Sequence, residues 1–551
     1  MAKIINLDRD CTQAYLNFGN IIDTYPILIK NIAYASTIES AVSRFLARND
    51  MRHDAMRDQI NLIIDIDDAT NEIESFVNTN DNDAFNFLKN SSRLLNILFR
   101  PCFLQYLQRA TNVNITVEKL LTKTRKCLLN ALFNLNTPDN TPITDQFSLL
   151  IAALAYQCFL NEYIFYVDPA EEAILVAFER QTKDKLEKHT SDALIYSALL
   201  VCYKQLMDSP DIAEKIMSYH ALITPGLEGI IRLQISNPEK EKKIRNSIRQ
   251  LKSIGNPTSQ QVRQQYEENP YPRWSSAHYS TPIPIIDTIK NAIAPNKPVN
   301  LPDIKKPRIL IAGCGTGRHP IDCAKAYKNS SILAIDLSLS SLSYAQRQAD
   351  ERGVNNIEFM QADILDLGKL NEQFDIIESC GVLHHMKEPL AGWKVLENLL
   401  KPGGLMKIGL YSELARAHIV TSRDIIAEQN FKSTPEGIRE CRRFIQRMGD
   451  SDIFNSLLRS TDFFTTSMVR DLIFHSMEHR FSVPQIEDAL TQLNLQFLGF
   501  CVSGDDTKKR YLQQFPADKT ATSLTNWHIF EQQNPHYFQA MYQFWLRKSV
   551  M

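Results

Sequence analysis

The stretch Arg308-Ile309-Leu310-Ile311-Ala312-Gly313-Cys314-Gly315-Thr316-Gly317 decides the fold of this chain. An unbroken apolar run of this length is typical of a buried parallel strand. The three glycines that follow allow a sharp turn and a close approach of the backbone to a ligand. A helix is expected after the turn, and its N-terminal N–H groups and dipole then face the ligand. The sequence therefore predicts a ligand site where this strand ends.

The spacing of the glycines separates two kinds of cofactor. Dinucleotide-binding folds use G-x-G-x-x-G, which leaves room for a pyrophosphate. Here the pattern is G-x-G-x-G, and Arg318 takes the place of the last glycine of the dinucleotide motif. This spacing resembles that of class I S-adenosylmethionine-dependent methyltransferases. The resemblance implies that the cofactor is S-adenosyl-L-methionine.

Four further strands follow at the spacing of β-α-β units, which argues against a plain glycine-rich loop. They are expected at residues 331–336, 355–364, 374–380 and 405–410. Asp336 ends the second strand about 20 residues after the turn, where an acid reaches the ribose hydroxyls of a nucleotide. Asp363 ends the third strand, and in the resembled class an acid there holds the adenine amino group.

The cofactor is expected to contact the glycine turn and the ends of the next three strands. The predicted cofactor-binding residues are Gly313, Cys314, Gly315, Gly317, Asp336, Leu337, Asp363, Ile364, Ser379 and Cys380. One position departs from the resembled class, whose first strand often ends in an acidic residue, because here it ends in Ala312. The sequence leaves open how the methionine amino group of the cofactor is held.

The bulk composition excludes several other classes of protein. The chain has 551 residues, of which 44% are hydrophobic and 23% charged, as expected for a soluble protein of several domains. A net charge of −2 gives no basic field for nucleic acid. The longest apolar run, residues 147–159, is too short to span a bilayer and indicates a buried helix. Ten cysteines without a C-x-x-C pair indicate reduced thiols in the cytoplasm and no metal site.

The predicted fold class is α/β, with a Rossmann-like class I methyltransferase sheet, a large N-terminal all-helical region and a helical insertion between strands five and six. Apolar residues at helical spacing make residues 1–255 the helical region, a surface for a partner or a dimer. Residues 256–300 are proline-rich and are interpreted as an extended linker and substrate lid. Residues 301–412 are the cofactor-binding half of the core, 413–484 the insertion near the substrate mouth, and 485–551 the completion of the sheet. In that last region, residues 495–502 and 527–530 are expected to be strands.

Segments outside the cofactor turn extend the resemblance over most of the chain. They are residues 158–165, 265–274, 412–416 and 470–481. Together they resemble bacterial class I methyltransferases with a long N-terminal helical region, including the rickettsial protein lysine methyltransferases that modify an outer-membrane protein. The resemblance implies a protein substrate, N-methylation of lysine and a homodimer.

A lysine acceptor must lose a proton before it attacks the methyl group. With an ordinary pKa near 10.4, holding the amine neutral at pH 7 costs roughly 4.6 kcal/mol. An aromatic channel or a nearby base lowers that cost. The candidate catalytic residues are His384, His385 and Tyr411, and the candidate substrate residues are Tyr266, Tyr271, Arg273, Trp274 and His475. Ordinary packing is the alternative for the aromatic residues, and shaping of the loop is the alternative for the two adjacent histidines.

Three other interpretations are compatible with parts of the sequence. Residues 475–479 match the zinc-peptidase pattern H-x-x-E-H, but a complete cofactor fold without a peptidase context argues against a metal site. A small-molecule or natural-product methyltransferase is the alternative enzyme. The alternative of another class is a helical interaction protein whose cofactor domain is only a sensor.

Overall fold

The structure is a computed structural model that describes residues 12–24, 35–134, 144–219, 225–252, 254–268, 270–274, 276, 281–293, 301–449, 452–475, 477–502 and 505–550. Its contacts divide the chain into two compact units. The helical unit consists of Met1–Glu239, Trp274–His278 and Gln429–Leu472. The sheet unit consists of Lys240–Arg273, Tyr279–Glu428 and Ile473–Met551. Among the residues described, no helix is long and apolar enough to cross a membrane.

The described part of the chain before the sheet is helical, as predicted. Its α-helices are α1 Thr12–Thr24, α2 Ala35–Ala47, α3 Arg57–Ile63, α4 Ile66–Asn78, α5 Ala84–Asn90, α6 Ser92–Leu98, α7 Pro101–Leu107, α8 Ile115–Phe133, α9 Asp145–Leu160, α10 Pro169–Glu187, α11 Ala193–Val201, α12 Pro210–Ser218, α13 Pro225–Ile231 and α14 Asn237–Arg245. The apolar run at residues 147–159 lies inside α9 and is buried at Phe147 and from Leu150 to Phe159. Gln157 within it donates to the carbonyls of Leu107 and Ala110 and accepts from the amide of Asn112. A buried core helix, as expected, accounts for this run.

The remaining helices alternate with the strands or follow them. They are α15 Pro257–Glu268, α16 Ile285–Ala292, α17 Arg318–Ala326, α18 Leu339–Asp350, α19 Pro389–Leu399, α20 Ala417–Glu428, α21 Pro435–Arg447, α22 Asp452–Arg459, α23 Thr466–Phe474, α24 Val483–Leu493, α25 Asp505–Gln514 and α26 Leu524–Gln533.

The sheet unit contains one eight-stranded mixed sheet. Its strands are β1 Arg249–Gln250, β2 Arg308–Ala312, β3 Ser331–Asp336, β4 Ile357–Gln361, β5 Phe374–Cys380, β6 Leu400–Leu410, β7 Leu495–Phe500 and β8 Tyr542–Lys548. Their order across the sheet is β1-β4-β3-β2-β5-β6-β8-β7. Neighbouring strands are parallel from β1 to β6, and β8 is antiparallel to both β6 and β7. The α/β fold class predicted from the sequence is confirmed.

The strands are apolar because helices cover the sheet. One face packs against the helices after β5 and β7, and its core contains the buried side chains of Leu310, Ile335, Met406, Trp393 and Trp527. The carboxyl ends of β2, β3, β4, β5 and β6 meet at one edge, since these strands run parallel. In open α/β sheets, ligands bind at that edge.

The insertion expected at residues 413–484 is divided between the two units. Its middle part, Gln429–Leu472, belongs to the helical unit. Arg442 on α21 donates to both carboxylate oxygens of Glu118 on α8, at 3.0 and 2.8 Å. The hydroxyl of Ser467 on α23 donates to Glu162 at 2.8 Å. Losing one partner of a buried pair such as Arg442–Glu118 costs about 3–5 kcal/mol, so these pairs fix the insertion against the N-terminal helices.

Two predictions of local structure are wrong. Residues 527–530 lie in helix α26, and the last strand is Tyr542–Lys548. A short apolar run does not distinguish a buried helix from a strand, and Trp527 is buried because it faces the core from a helix. Residues 256–300 are not uniformly extended, because they contain α15 and α16. Pro257 is the first residue of α15 and Pro284 precedes α16, positions at which proline favours a helix start.

Candidate active site

The glycine turn after β2 requires glycine at two positions. Gly313 has φ +79°, and a Cβ there would lie 2.3 Å from a methyl carbon of Val382. Gly317 has φ +85°, and its Cβ would lie 2.4 Å from the Cβ of Ala345. The amide of Gly313 also donates to the carbonyl of Ile335 on β3 at 2.9 Å. The turn is therefore tightly seated between β3, α18 and the loop after β5.

Asp336 lies at the carboxyl end of β3, beside this turn. One carboxylate oxygen accepts from the amide of Gly315 at 2.8 Å, and the other accepts from the amide of Ser338 at 3.0 Å. Burial raises the pKa of Asp336, while the amides of Ser338 and Gly315 act in the opposite direction. A carboxylate has about four acceptor positions, so two remain for further donors such as ribose hydroxyls.

The next strand end carries the second predicted acid. Asp363 follows β4, is 4% exposed, and accepts from the amide of Leu365 at 3.0 Å. Ile364 begins the short 3-10 helix Ile364–Lys369 after it. The side chain of Gln361 donates to the carbonyl of Leu337 at 2.8 Å, which joins the ends of β3 and β4. The predicted adenosine-side residues thus lie along one edge of the sheet.

A segment between β1 and β2 lies against the glycine turn, and we call its residues 266–268 and 270–272 the strap. The hydroxyl of Ser338 donates to the carbonyl of Tyr266 at 3.0 Å. The hydroxyl of Thr316, inside the turn, donates to the carbonyl of Pro272. A Cβ on Gly315 would lie 3.0 Å from the carbonyl oxygen of Tyr271. The aromatic rings of Tyr266 and Tyr271 are stacked with centroids 6.4 Å apart.

Glu267 fastens the strap to the start of α18. Its oxygens accept from the amides of Leu339 at 2.9 Å and Ser340 at 3.1 Å, and from the hydroxyl of Ser340 at 2.6 Å. Arg245 forms an ion pair with it at 3.1 Å. Burial alone would raise the pKa of Glu267, but the donors of Ser340 and Leu339 lower it. Sequence reasoning missed Glu267, since nothing in its spacing showed that it would reach the first turn of α18.

The end of β5 contributes a buried polar network. The Ser379 hydroxyl donates to the carbonyl of Ala312 at 3.1 Å and joins the ends of β5 and β2. Glu378 is fully buried and accepts from His319 Nε2 at 2.8 Å and from the Tyr327 hydroxyl at 2.9 Å. Burial would raise the pKa of Glu378, but His319 and then Lys407 lower it to about 2.

Cys314 and Cys380 were predicted to contact the cofactor through their position in the turn and at the end of β5. Burial raises the pKa of the Cys314 thiol well above its usual value, and raises that of Cys380 to about 12. Neither thiol is therefore ionised near pH 7, and neither is suited to act as a nucleophile.

The predicted catalytic residues come together at the ends of β5 and β6. The ring of His384 stacks on the ring of Tyr411 at 3.9 Å and meets that of His385 edge-on at 4.3 Å. His385 in turn stacks on His475 at 3.9 Å. The guanidinium of Arg416 lies 3.7 Å from the centre of the Tyr411 ring. Because His384 and Arg416 both lie this close to one ring, they occupy its opposite faces.

His384 is the member of this stack with unused hydrogen-bonding groups. Its side chain is fully buried, and neither ring nitrogen has a hydrogen-bond partner among the described residues. Burial, aided by His385 and Arg416, keeps the pKa of His384 well below its ordinary value, so the ring is neutral at pH 7. Leaving one buried polar group unpaired costs about 1–3 kcal/mol. The unpaired nitrogens of His384 therefore indicate that the ring forms hydrogen bonds with a bound molecule.

The H-x-x-E-H pattern does not form a helical metal motif. Helix α23 ends at Phe474, and residues 477–480 lie outside any helix, so no helix face presents both histidines. Instead, Glu478 accepts from Arg416 at 3.1 Å and from Arg423 at 2.9 Å. The amide of His479 donates to the carbonyl of His384 at 2.7 Å. This segment therefore packs beside the catalytic candidates, and sequence reasoning missed the parts played by Arg416 and Glu478.

The remaining substrate candidates are not all in one unit. Tyr266, Tyr271 and Arg273 belong to the sheet unit, where the two tyrosines are in the strap. Trp274 is buried and belongs to the helical unit. The aromatic channel expected from Tyr266, Tyr271, Trp274 and Tyr411 thus stays a prediction.

Comparison with known proteins identifies the central part of the sheet unit. Residues 309–404 match the family model described as a methyltransferase domain. An uncharacterised protein of a Synechococcus species is 39% identical over 127 residues, which is 23% of this chain and 30% of that protein. An uncharacterised protein of Rickettsia prowazekii is 26% identical over 191 residues, 34% of this chain and 74% of that protein.

Named enzymes are also among the relatives. The ubiquinone biosynthesis O-methyltransferase of Actinobacillus pleuropneumoniae is 28% identical over 144 residues, 25% of this chain and 59% of that enzyme. The chain spans less than two thirds of the length of most of these curated relatives. The solved structure of PKMT2 from Rickettsia typhi in complex with AdoHcy has a TM-score of 0.40 and 18% identity, covering 51% of this chain and 55% of that one.

Proposed function

We propose that this chain, whose residues 309–404 form a class I S-adenosylmethionine-dependent methyltransferase domain, is an active methyltransferase with a protein lysine as acceptor. The methyltransferase domain and its cofactor agree with the expectation from the glycine spacing. The observation that carries the proposal is the alignment of the glycine turn, Asp336 and His384 along the carboxyl edge of one sheet.

The residues at this edge fit the cofactor. The positive φ angles of the turn and its contact with the strap leave backbone, rather than side chain, facing the ligand side. Asp336 retains acceptor capacity for two ribose hydroxyls, and Asp363 lies at the end of the adjacent strand, where it is suited to the adenine amino group. When bound, S-adenosylmethionine supplies a sulfonium methyl group as the electrophile.

The chain's own part in the reaction is alignment and proton handling. Holding two reactants in line contributes about 7–11 kcal/mol to the rate. The neutral ring of His384 has one nitrogen that accepts a hydrogen bond and one that donates. We assign the accepting nitrogen to an N–H of the acceptor amine, which directs the lone pair of the amine away from His384. Tyr411 stacks on His384 and His385 meets it edge-on, and these two contacts orient its ring.

The charge around the acceptor side supports an amine. Arg416 and Arg423 share the single carboxylate of Glu478, so positive charge exceeds negative charge among these three side chains. Nearby positive charge lowers the pKa of an entering ammonium group and favours the neutral, nucleophilic amine. The resemblance of residues 265–274 and 470–481 to protein lysine methyltransferases supports the same acceptor. An outer-membrane protein as substrate, a cytoplasmic location and a homodimer are part of this proposal.

Methyl-labelled cofactor tests the proposal on cell-envelope and cytosolic fractions of the source organism. The expected result is label in a protein band that yields methylated lysine after acid hydrolysis, with no label when His384→Ala replaces the wild type. Label only in small molecules would refute the lysine acceptor and favour a small-molecule methyltransferase. Cofactor binding without any transfer would favour the sensor protein instead.

A further inference from the structure

The strand order indicates where each part of the cofactor lies. Across the sheet the order is β4-β3-β2-β5, with Asp363 after β4 and Asp336 at the end of β3. If the adenine lies at β4 and the ribose at β3, the amino-acid part extends over β2 and β5. No acid ends β2, where Ala312 stands, so an acidic side chain near the methionine amino group has to come from a neighbouring element.

His319 is placed to be that partner. It is the second residue of α17 and follows directly on the glycine turn. Its side chain is 31% exposed, whereas Glu378, to which its Nε2 is bound at 2.8 Å, is fully buried. The ring therefore has one edge fixed inside the protein and the other directed away from Glu378. That other edge carries Nδ1, which has no hydrogen-bond partner among the described residues.

The contact with Glu378 fixes which nitrogen of His319 carries the hydrogen. A carboxylate only accepts, so the Nε2 of His319 is the donor, and in the tautomer whose single N–H is on Nε2 the Nδ1 is an acceptor. An acceptor backed by a buried carboxylate suits an ammonium donor, as metal-bound histidines backed by carboxylates suit a cation. Glu378 is in register with Ile311 on β2, which places this negative charge beside the end of the strand that carries the turn.

A metal ion is the competing use of these side chains. The donor atoms of His319, Cys323 and Glu378 lie within 4.8 Å of one another. However, Glu378 already accepts from His319 and from Tyr327, one at each oxygen, and Lys407 adds positive charge near it. The carboxylate is thus satisfied by the chain itself, and a cation would have to displace these donors.

We infer that His319, backed by Glu378, binds the methionine amino group of S-adenosylmethionine through Nδ1. This inference rests on the proposed function, because it assumes the same cofactor at the same turn. In this arrangement, Glu378 of β5 and His319 of α17 take the place of the acidic residue that is missing from the end of β2. His319 is then a positioning residue that holds the amino-acid part so that the methyl group faces the acceptor.

The test is the affinity of three ligands for the full chain, measured by calorimetry. S-adenosylhomocysteine has the amino and carboxylate groups, S-adenosyl-3-thiopropylamine has only the amino group, and 5′-methylthioadenosine has neither. His319→Gln keeps an amide N–H for Glu378, which protects the fold, and its one acceptor, the amide oxygen, does not occupy the position of Nδ1. We expect His319→Gln to lower the affinity for S-adenosylhomocysteine and for S-adenosyl-3-thiopropylamine about tenfold or more. The affinity for 5′-methylthioadenosine should not change. The control is His536→Ala, which changes an exposed histidine of the same unit and should alter the affinity for none of the three ligands.

Each other outcome overturns the inference. If His319→Gln lowers the affinity for all three ligands equally, His319 has a structural role only. If it lowers none of the affinities, His319 does not contact the cofactor. Loss for S-adenosylhomocysteine with none for S-adenosyl-3-thiopropylamine would assign His319 to the carboxylate. Failure of the wild-type chain to bind S-adenosylhomocysteine would remove the proposed function itself, which is a separate result. Binding of Zn²⁺ that His319→Gln and Cys323→Ser both abolish would favour the metal site.

Discussion

At the scale of single residues, Asp336 ties the cofactor to the fold. It fixes the amides of Gly315 and Ser338 and still has acceptor positions for a ligand. Replacing Asp336 by Asn removes the charge and half of the acceptors, and a hydrogen bond to a charged group contributes about 1.5–3 kcal/mol. We expect the affinity for S-adenosylhomocysteine to fall at least about tenfold in a calorimetric titration. The control is Asp350→Asn, which changes a carboxylate at the far end of α18. If the wild type and both variants bind S-adenosylhomocysteine equally well, the ribose does not lie at Asp336.

His384 tests the acceptor side separately. Its two unpartnered ring nitrogens and its neutral ring predict contact with the acceptor and none with the cofactor. His384→Ala should lower kcat by about 10²–10⁴, the range for general acid–base groups, and leave the affinity for S-adenosylhomocysteine unchanged. The exposed His536→Ala variant should keep full turnover. A His384→Ala enzyme with normal kcat would show that the ring only shapes the loop.

At the scale of elements, the anchoring of the strap by Glu267 is the part of the site that the sequence did not predict. Glu267 joins the strap to the first turn of α18, which begins three residues after Asp336. Glu267→Gln should weaken S-adenosylhomocysteine binding about fivefold to tenfold, because the amide group satisfies fewer of the donors that meet there. Glu268→Gln changes the neighbouring, exposed carboxylate and should have no effect. The account of the strap fails if the two variants bind alike.

The buried network of Glu378, His319 and Tyr327 predicts a pH-dependent contribution to the free energy of unfolding. Glu378 has a pKa near 2 in the folded chain and an ordinary value near 4.3 when unfolded. The contribution of this depressed group, about 3 kcal/mol, is complete above pH 4.3 and is lost as pH falls towards 2. Glu378→Gln should therefore lower the urea midpoint of unfolding at pH 7. Below pH 4.3 the midpoints of the variant and the wild type should approach each other.

Tryptophan fluorescence is the measurement for that prediction. Three of the four tryptophans, Trp393, Trp527 and Trp545, lie in the sheet unit and report its unfolding. A difference between the two proteins that stays constant from pH 7 to pH 3 would contradict the ionised state assigned to Glu378.

The core of the fold was predictable because its signals are local. Strands β3 and β5 agree with the expected bounds, since each is an apolar run between turns. The glycine spacing fixed the turn, and Asp336 and Asp363 followed from their places at strand ends. Residues 527–530 were misassigned because a short apolar run fits a buried helix equally well. Glu267, His319 and Glu378 were missed because their partners are distant in sequence, and only the folded chain brings them together.

At the scale of the whole molecule, the two units carry different kinds of information. The sheet unit has the turn, the acids and the stacked rings, which together make up the proposed methyl-transfer site. In the helical unit, pairs such as Arg442–Glu118 hold helices together. The acceptor was therefore harder to predict than the cofactor, since it is recognised by surfaces rather than by a short motif.

Direct titration of the full chain with S-adenosylmethionine and with NAD⁺ is the most direct test of the central claim. We expect one molecule of S-adenosylmethionine to bind per chain and NAD⁺ not to bind. The Asp336→Asn variant should bind S-adenosylmethionine more weakly and should still not bind NAD⁺. Binding of NAD⁺ at the same turn, or no binding of S-adenosylmethionine to a folded chain, would contradict the account.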